Sequence, residues 1–146
     1  VWKRRNVEMA DFNKVGFLAF DDAQRILMCR KDHFTSRLIL PGGRIEGDET
    51  DDECLRRELA EELGEVTPLE VSFVGVYRDM AHSDDPSVKK TLELRLYRGI
   101  LRGKPSPRSE ITELVWFGKD SDPGELTPIF SNHILPDLQR RGIVAW

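Results

Sequence analysis

The sequence predicts an α/β protein: a sandwich with a mixed sheet and one helix on each side. Three observations carry this. Thr91 to Leu101 alternates Leu92, Leu94 and Leu96 against Glu93, Arg95 and Tyr97, the pattern of a half-buried strand. Thr50 to Leu63 places Leu55, Leu59 and Leu63 at i, i+4 and i+8, the stripe of an amphipathic helix. The element order is strands, helix, strands, helix, which favours helices packed on the faces of a sheet.

Each element has local support. Asn13 to Phe20 (NKVGFLAF) reads as a strand, Asp21-Asp22 as a turn and Gln24 to Arg30 as the returning strand, so a hairpin is expected. Arg37 to Leu40 is expected as a short strand broken by Pro41-Gly42-Gly43. The helix begins at Thr50, with Glu53 three residues on completing a capping box, and ends at Gly64. Val71 to Arg78 is a strand, and the polar stretch Asp79 to Lys90, containing Pro86, is a loop. Gly103 to Ser109 is a second loop, Leu114 to Gly118 a last strand, and Ser131 to Arg141 a C-terminal helix around Pro136.

At 146 residues the chain fits a single domain, 1–146, large enough to bury about 70% of its unfolded surface. Its 22 basic and 26 acidic residues give a net charge of −4, so a nucleic-acid polymer is not an expected partner. Local basic groups can still hold a small anion. Cys29 and Cys54 show no zinc spacing, and reduced thiols are favoured over one bridge. Apolar runs such as Leu38-Ile39-Leu40 are too short to span a bilayer, so no membrane partner is expected. Val1 to Asp11 is charged and carries no leader-like apolar run, and a reducing cytoplasmic location is the expectation. A homodimer is left open.

The chemistry-bearing segment is residues 43–65, GRIEGDETDDECLRRELAEELGE. At about 100° per residue, Glu58, Glu61 and Glu62 fall along one helix edge, with the leucines turned toward the core. Carboxylates this close repel, and a hard cation such as Mg²⁺ or Mn²⁺ relieves the repulsion. Taken alone, the ordinary explanation of such a triad is a solvated helix face.

The surrounding residues change that balance. Gly43, Glu49, Arg57-Glu58-Leu59, Glu61-Glu62 and Gly64 resemble the Nudix hydrolase signature, Gx5Ex7REUxEExGU, where U is bulky and apolar. Chance agreement at the seven fixed positions is on the order of one in 10⁵ for this composition. Two positions depart: Glu65 stands where the last apolar residue belongs, with Val66 next to it, and Leu38 stands where the family often has Trp.

The resemblance implies the family's α/β/α sandwich, with the signature as a loop-helix-loop after Pro41-Gly42-Gly43. It implies Glu58, Glu61 and Glu62 as ligands of Mg²⁺ or Mn²⁺. It implies Glu49 paired with Arg57, fixing loop to helix, and Gly42 and Gly43 allowing close backbone approach. The general base falls to Glu110, Glu61 or Glu113, with Glu110 slightly favoured. Arg44 is the first choice for a phosphate clamp, ahead of Arg78, Lys89, Lys90 and Arg95. Phe34 or Trp116 could stack on a base, although the core is the better place for Trp116. His33, His82 and His133 receive no chemistry. The implied substrate is a small nucleotide, a nucleoside diphosphate linked to a further group. The marks of other branches are absent, which points to a MutT-like nucleoside triphosphate pyrophosphohydrolase, with oxidised purines as one candidate. An ADP-sugar or other nucleotide-diphosphate hydrolase, a non-hydrolytic nucleotide-binding module and an interaction domain are the alternatives.

Overall fold

The computed structural model describes residues 9–146, so the reading of the N-terminal segment lies outside the described residues as far as residue 8. Among the described residues six strands run β1 Phe12–Leu18, β2 Ile26–Lys31, β3 Gly42–Arg44, β4 Thr67–Met80, β5 Thr91–Arg102 and β6 Ile111–Phe117. Helix α1 is Asp51–Leu63 and α2 is Leu135–Arg140. Four strands form a mixed sheet in the order β3-β1-β5-β4, in which only β1 and β5 are parallel; β2 and β6 form an antiparallel pair.

Strands β1 and β2 are buried on both faces, and each feeds two cores. Val15, Phe17, Ala19, Leu27 and Cys29 pack with Cys54, Leu55, Leu59 and Leu63 of α1. Leu18, Ile26 and Met28 join Leu92, Leu94 and Leu96 on the other side, against Phe130, Ile134 and Leu138. The alternation of β5 and the leucine stripe of α1 are thus the inner faces of two different layers. Each fully buried leucine contributes about 1.5–3 kcal/mol. Both cysteines are free and buried. Among the described residues no helix is long and apolar enough to cross a membrane.

Helix α1 is tied at both ends. Thr50 Oγ1 accepts the Glu53 N–H at 3.1 Å and Glu53 Oε1 accepts the Thr50 N–H at 2.9 Å, so the capping box forms in full. Asp51 accepts from Arg95 Nε and Nη2 (2.9 and 2.8 Å) and from the Tyr97 hydroxyl (2.6 Å), which fastens the first turn to β5. Gly64, at φ +84°, ends the helix. The loop after β5 then caps it, since the Ser106 and Arg108 N–H groups donate to the Leu63 and Glu62 carbonyls at 3.0 Å. Val66 packs on the α1 core while Glu65 is exposed, so the apolar role at the helix exit moves one residue on.

Four expectations are corrected. The hairpin exists only at its turn, where Phe20 bridges Ile26; β1 is already paired on both sides, by β3 and β5, and has no free edge for β2. Residues 37–40 form no strand, only single bridges from Leu38 to Leu126 and Ile39 to Cys29. The strand lies instead at Gly42–Arg44, inside the expected breaker, because a Cβ at Gly42 (φ +138°) would overlap the Val15 carbonyl; glycine lets the two backbones meet. Strand β4 starts earlier and ends later than expected, passing two register shifts, with Glu70 at φ +52° in the first. The C-terminal helix opens as a π-helical turn, Phe130–Ile134, where Leu135 N–H reaches Phe130 O; Pro136 has no N–H to continue a regular α-helical ladder there.

Candidate active site

A cavity of about 330 Å³ opens where α1, β1, β3 and the loops before β3 and after β4 converge. One part of its lining is charged: Lys14, Lys31, Arg44, Glu46, Glu58, Glu62 and Glu110. Another is apolar and is borrowed from the C-terminal core, including Met28, Leu92, Leu94 and Phe130. A third is a rim of Phe34, Thr35 and His82.

The carboxylates are held unequally. Glu62 is 2% exposed, and its Oε1 accepts the Gly42 N–H at 2.8 Å. Burial pushes its carboxyl up to about 8, and Glu58 and Glu110 push the same way. Glu58 is also raised by burial, opposed by Arg57. Gly43 lies directly under the Glu58 carboxyl, so a Cβ there would collide with it. Glu61 is over half exposed and does not line the cavity; its Oε2 faces Arg57 Nη1 at 3.5 Å. Among the described residues no three carboxylate, histidine or cysteine side chains converge tightly enough to form a ligating cluster.

Arg57 is the hub. It donates to Glu49 through Nε (3.0 Å) and Nη2 (2.5 Å), to Glu58 Oε1 through Nη1 (2.9 Å) and to the Arg44 carbonyl through Nη2 (3.1 Å). The Arg57 hydrogen bonds hold the Glu49 carboxyl down at about 2. Glu49 also accepts the Glu46 N–H at 2.8 Å, so the loop is clamped to the helix from both directions.

The remaining sequence candidates separate. Arg44 lines the cavity, and its guanidinium lies 4.2 Å from the centroid of Phe12. Glu110 lines the cavity, and its carbonyl accepts the Asp32 N–H at 3.0 Å. Glu113 lies exposed on β6 near Arg30 (3.7 Å) and does not line the cavity. Arg78 pairs with Glu93 on the neighbouring strand (2.6 Å) and Arg95 with Asp51, so neither lines the cavity; nor do Lys89 and Lys90. Trp116 pairs with Leu27 and packs on the α1 core, away from the cavity, whereas Phe34 lines it.

Several lining residues carried no assignment from sequence. Lys14 is one: burial lowers its ammonium to about 8, aided by Lys31 and Arg44 and opposed by Glu62 and Glu58. A lysine inside the apolar run NKVGFLAF was a readable signal. Thr35 and His82 gave none, because they meet only through a contact 47 residues apart in sequence.

The family profile of the NUDIX domain matches residues 12–131. A curated relative from Mycobacterium tuberculosis, named "Putative 8-oxo-dGTP diphosphatase 2", is 40% identical over 95 residues, 64% of this chain and 60% of its own. The chain thus spans 60% of the length of the curated relatives it matches. Among solved structures, the MutT protein from Methanosarcina mazei Go1 superposes with a TM-score of 0.72 at 19% identity, covering 93% of this chain and 99% of the other. The MutT NUDIX hydrolase from Burkholderia pseudomallei gives 0.65 at 24% identity, covering 80% and 89%. The chain shares its fold with both MutT structures and, with the profile covering most of its length, belongs to the NUDIX family.

Proposed function

We propose that this protein hydrolyses the phosphoric anhydride of a nucleoside triphosphate, releasing a nucleoside monophosphate and pyrophosphate, with Mg²⁺ or Mn²⁺ as cofactor. The observation that carries this reading is a single cavity in which buried Glu62 and half-buried Glu58, with Glu110, share space with Lys14, Lys31 and Arg44 and an apolar wall. Such a lining suits a ligand with a charged diphosphate end and an aromatic end.

The donor set fits the cation. Burial raises both Glu58 and Glu62, and neighbouring carboxylates add to it, Glu61 and Glu110 at Glu58 and Glu58 and Glu110 at Glu62, so a hard dication would relieve a cost already present. Glu58 and Glu62, which line the cavity, would hold it. When bound, such a cation neutralises phosphoryl charge and makes water a better nucleophile.

The protein's own groups do the rest. Arg44, Lys14 and Lys31 bind phosphoryl oxygens, and Gly42 and Gly43 leave the backbone close to them. Glu110 takes the proton of the attacking water on a carboxylate oxygen. The water oxygen bonds to phosphorus, the anhydride P–O bond breaks in line, and pyrophosphate departs. Arg57 and Glu49 position Glu58 without touching substrate.

Support from relatives points to the substrate. The M. tuberculosis protein is named for 8-oxo-dGTP, so oxidised purine triphosphates belong in the test. Purified protein is incubated with canonical and oxidised nucleoside triphosphates and ADP-ribose, with Mg²⁺ or Mn²⁺, and products are identified by mass. Pyrophosphate plus monophosphate is expected. Inorganic phosphate as the first product, or no turnover of any triphosphate, overturns the reading.

A further inference from the structure

The rim of the cavity is built from two loops far apart in sequence. The Asp84 N–H donates to the Phe34 carbonyl at 2.8 Å. Asp84 Oδ1 accepts from both the Ser36 N–H and the Ser36 hydroxyl at 3.0 Å. Thr35 Oγ1 lies 2.5 Å from His82 Nδ1. Phe34, at φ +70°, is held in the left-handed region by these bonds, with its ring edge-on to Phe12 at 5.9 Å. A bulky residue kept in that conformation beside a cavity is a built feature.

The Thr35–His82 bond has a direction. Thr35 is 4% exposed, and its oxygen already accepts the Arg37 N–H at 3.2 Å. Its one proton needs an acceptor, and the only one it contacts among the described residues is His82 Nδ1. The threonine therefore donates, Nδ1 accepts, and the neutral ring carries its proton on Nε2. Burial first, and then Arg37, keep His82 below its ordinary value, against a smaller pull from Asp84. Nε2 makes no hydrogen bond to any described residue, and the ring lines the cavity. The site thus has a fixed donor with no partner among the described residues.

We propose that Thr35 and His82 determine base specificity: Thr35 fixes the tautomer of His82, and His82 Nε2–H selects a base edge that presents a carbonyl acceptor over one that presents an amino group. This rests on the nucleotide reading above. It separates substrates by leaving the donor unpaired against the wrong base, a penalty that a purely apolar wall cannot impose.

The test compares kcat/KM for deoxyinosine and deoxyadenosine triphosphates, which differ in the C6 group and the N1 proton. Wild type is expected to prefer the carbonyl-bearing base about tenfold or more. Thr35→Val, which frees the tautomer, and His82→Gln, which offers both donor and acceptor, should each bring that ratio toward one. ¹⁵N NMR of the imidazole should show the Nε2–H tautomer in wild type and a mixture in Thr35→Val; His82→Gln carries the kinetic arm if Thr35→Val fails to fold. A wild type active on both bases with no preference, variants that leave the preference intact, or an Nδ1–H ring would overturn this inference while sparing the nucleotide reading. A wild type active on no nucleotide overturns both.

Discussion

The two ends of the cavity are held by different means. The carboxylate end stands on α1, which is fixed from behind by Leu55, Leu59 and Leu63, at its first turn by Arg95 and Tyr97, and at its last by the loop containing Ser106 and Arg108. The rim end is carried on loops, and its Phe34 ring rests on Phe12 at the start of β1. It is two loops sewn together by Thr35–His82, Ser36–Asp84 and Asp84–Phe34. Groups that act on the phosphorus need a rigid base, since small misplacements cost rate. A wall that chooses among bases can be rebuilt by exchanging loop residues without disturbing that base. Damage to the first end should therefore appear in kcat, and damage to the second in KM and in substrate preference.

The largest effect is expected at Glu62. Glu62→Gln keeps an oxygen for the Gly42 N–H and removes only the charge, so the fold should persist. Loss of kcat on the order of 10²–10³-fold is expected, the scale for removing one group that acts on developing charge. A variant with unchanged kcat and raised KM would break the division between the two ends.

Next comes Gly43→Ala. The added methyl would collide with the Glu58 carboxyl and push it from Arg57 Nη1, while the two Arg57–Glu49 bonds can persist. A fall in kcat of roughly 10²-fold with little change in melting temperature is expected, because the carboxylate moves while its scaffold does not. Full activity would show that Glu58 is not needed where the structure places it.

A third test uses pH. The Glu62 carboxyl lies at about 8, above its ordinary 4.5. Ionising it in the fold is costly, so its contribution to stability is whole below about 4.5 and lost as pH rises through about 8. Lys14 acts above that window: lowered from 10.5 to about 8, it returns stability between those values. Cation-free protein should therefore lose melting temperature between about pH 4.5 and about pH 8, and Mn²⁺ should restore most at the alkaline end. A flat profile would mean that Glu62 is not the strained group.

The same contrast explains what could be read from the sequence. Glu58, Glu61 and Glu62 are legible as a cluster because a helix turns spacing into geometry, with Gly64 at its end, while Gly43, Glu49 and Arg57 are legible through the signature that the segment resembles. Even there, one dimension was not enough. Regular spacing puts Glu61 beside Glu62, yet Glu62 is buried against Gly42 and Glu61 is over half exposed beside Arg57. Strand β3 was hidden because glycine, the usual breaker, is what lets it approach β1. Lys31 and His82 were silent because tertiary contacts alone bring them to the cavity, and no periodicity encodes a meeting of two loops.

The smallest predicted effect is the most direct probe of the rim. Ser36→Ala deletes the hydroxyl bond to Asp84 and leaves the backbone N–H bond to the same oxygen in place. The loops stay joined but loosen, and the strained Phe34 gains room to relax. KM should rise on the order of threefold, near the low end for one hydrogen bond close to solvent, with kcat unchanged. Nothing in this bond touches Arg57, Glu58 or Glu62. If kcat falls instead while KM holds, the rim is steering the reacting phosphate, and the two ends act as one unit despite being built separately.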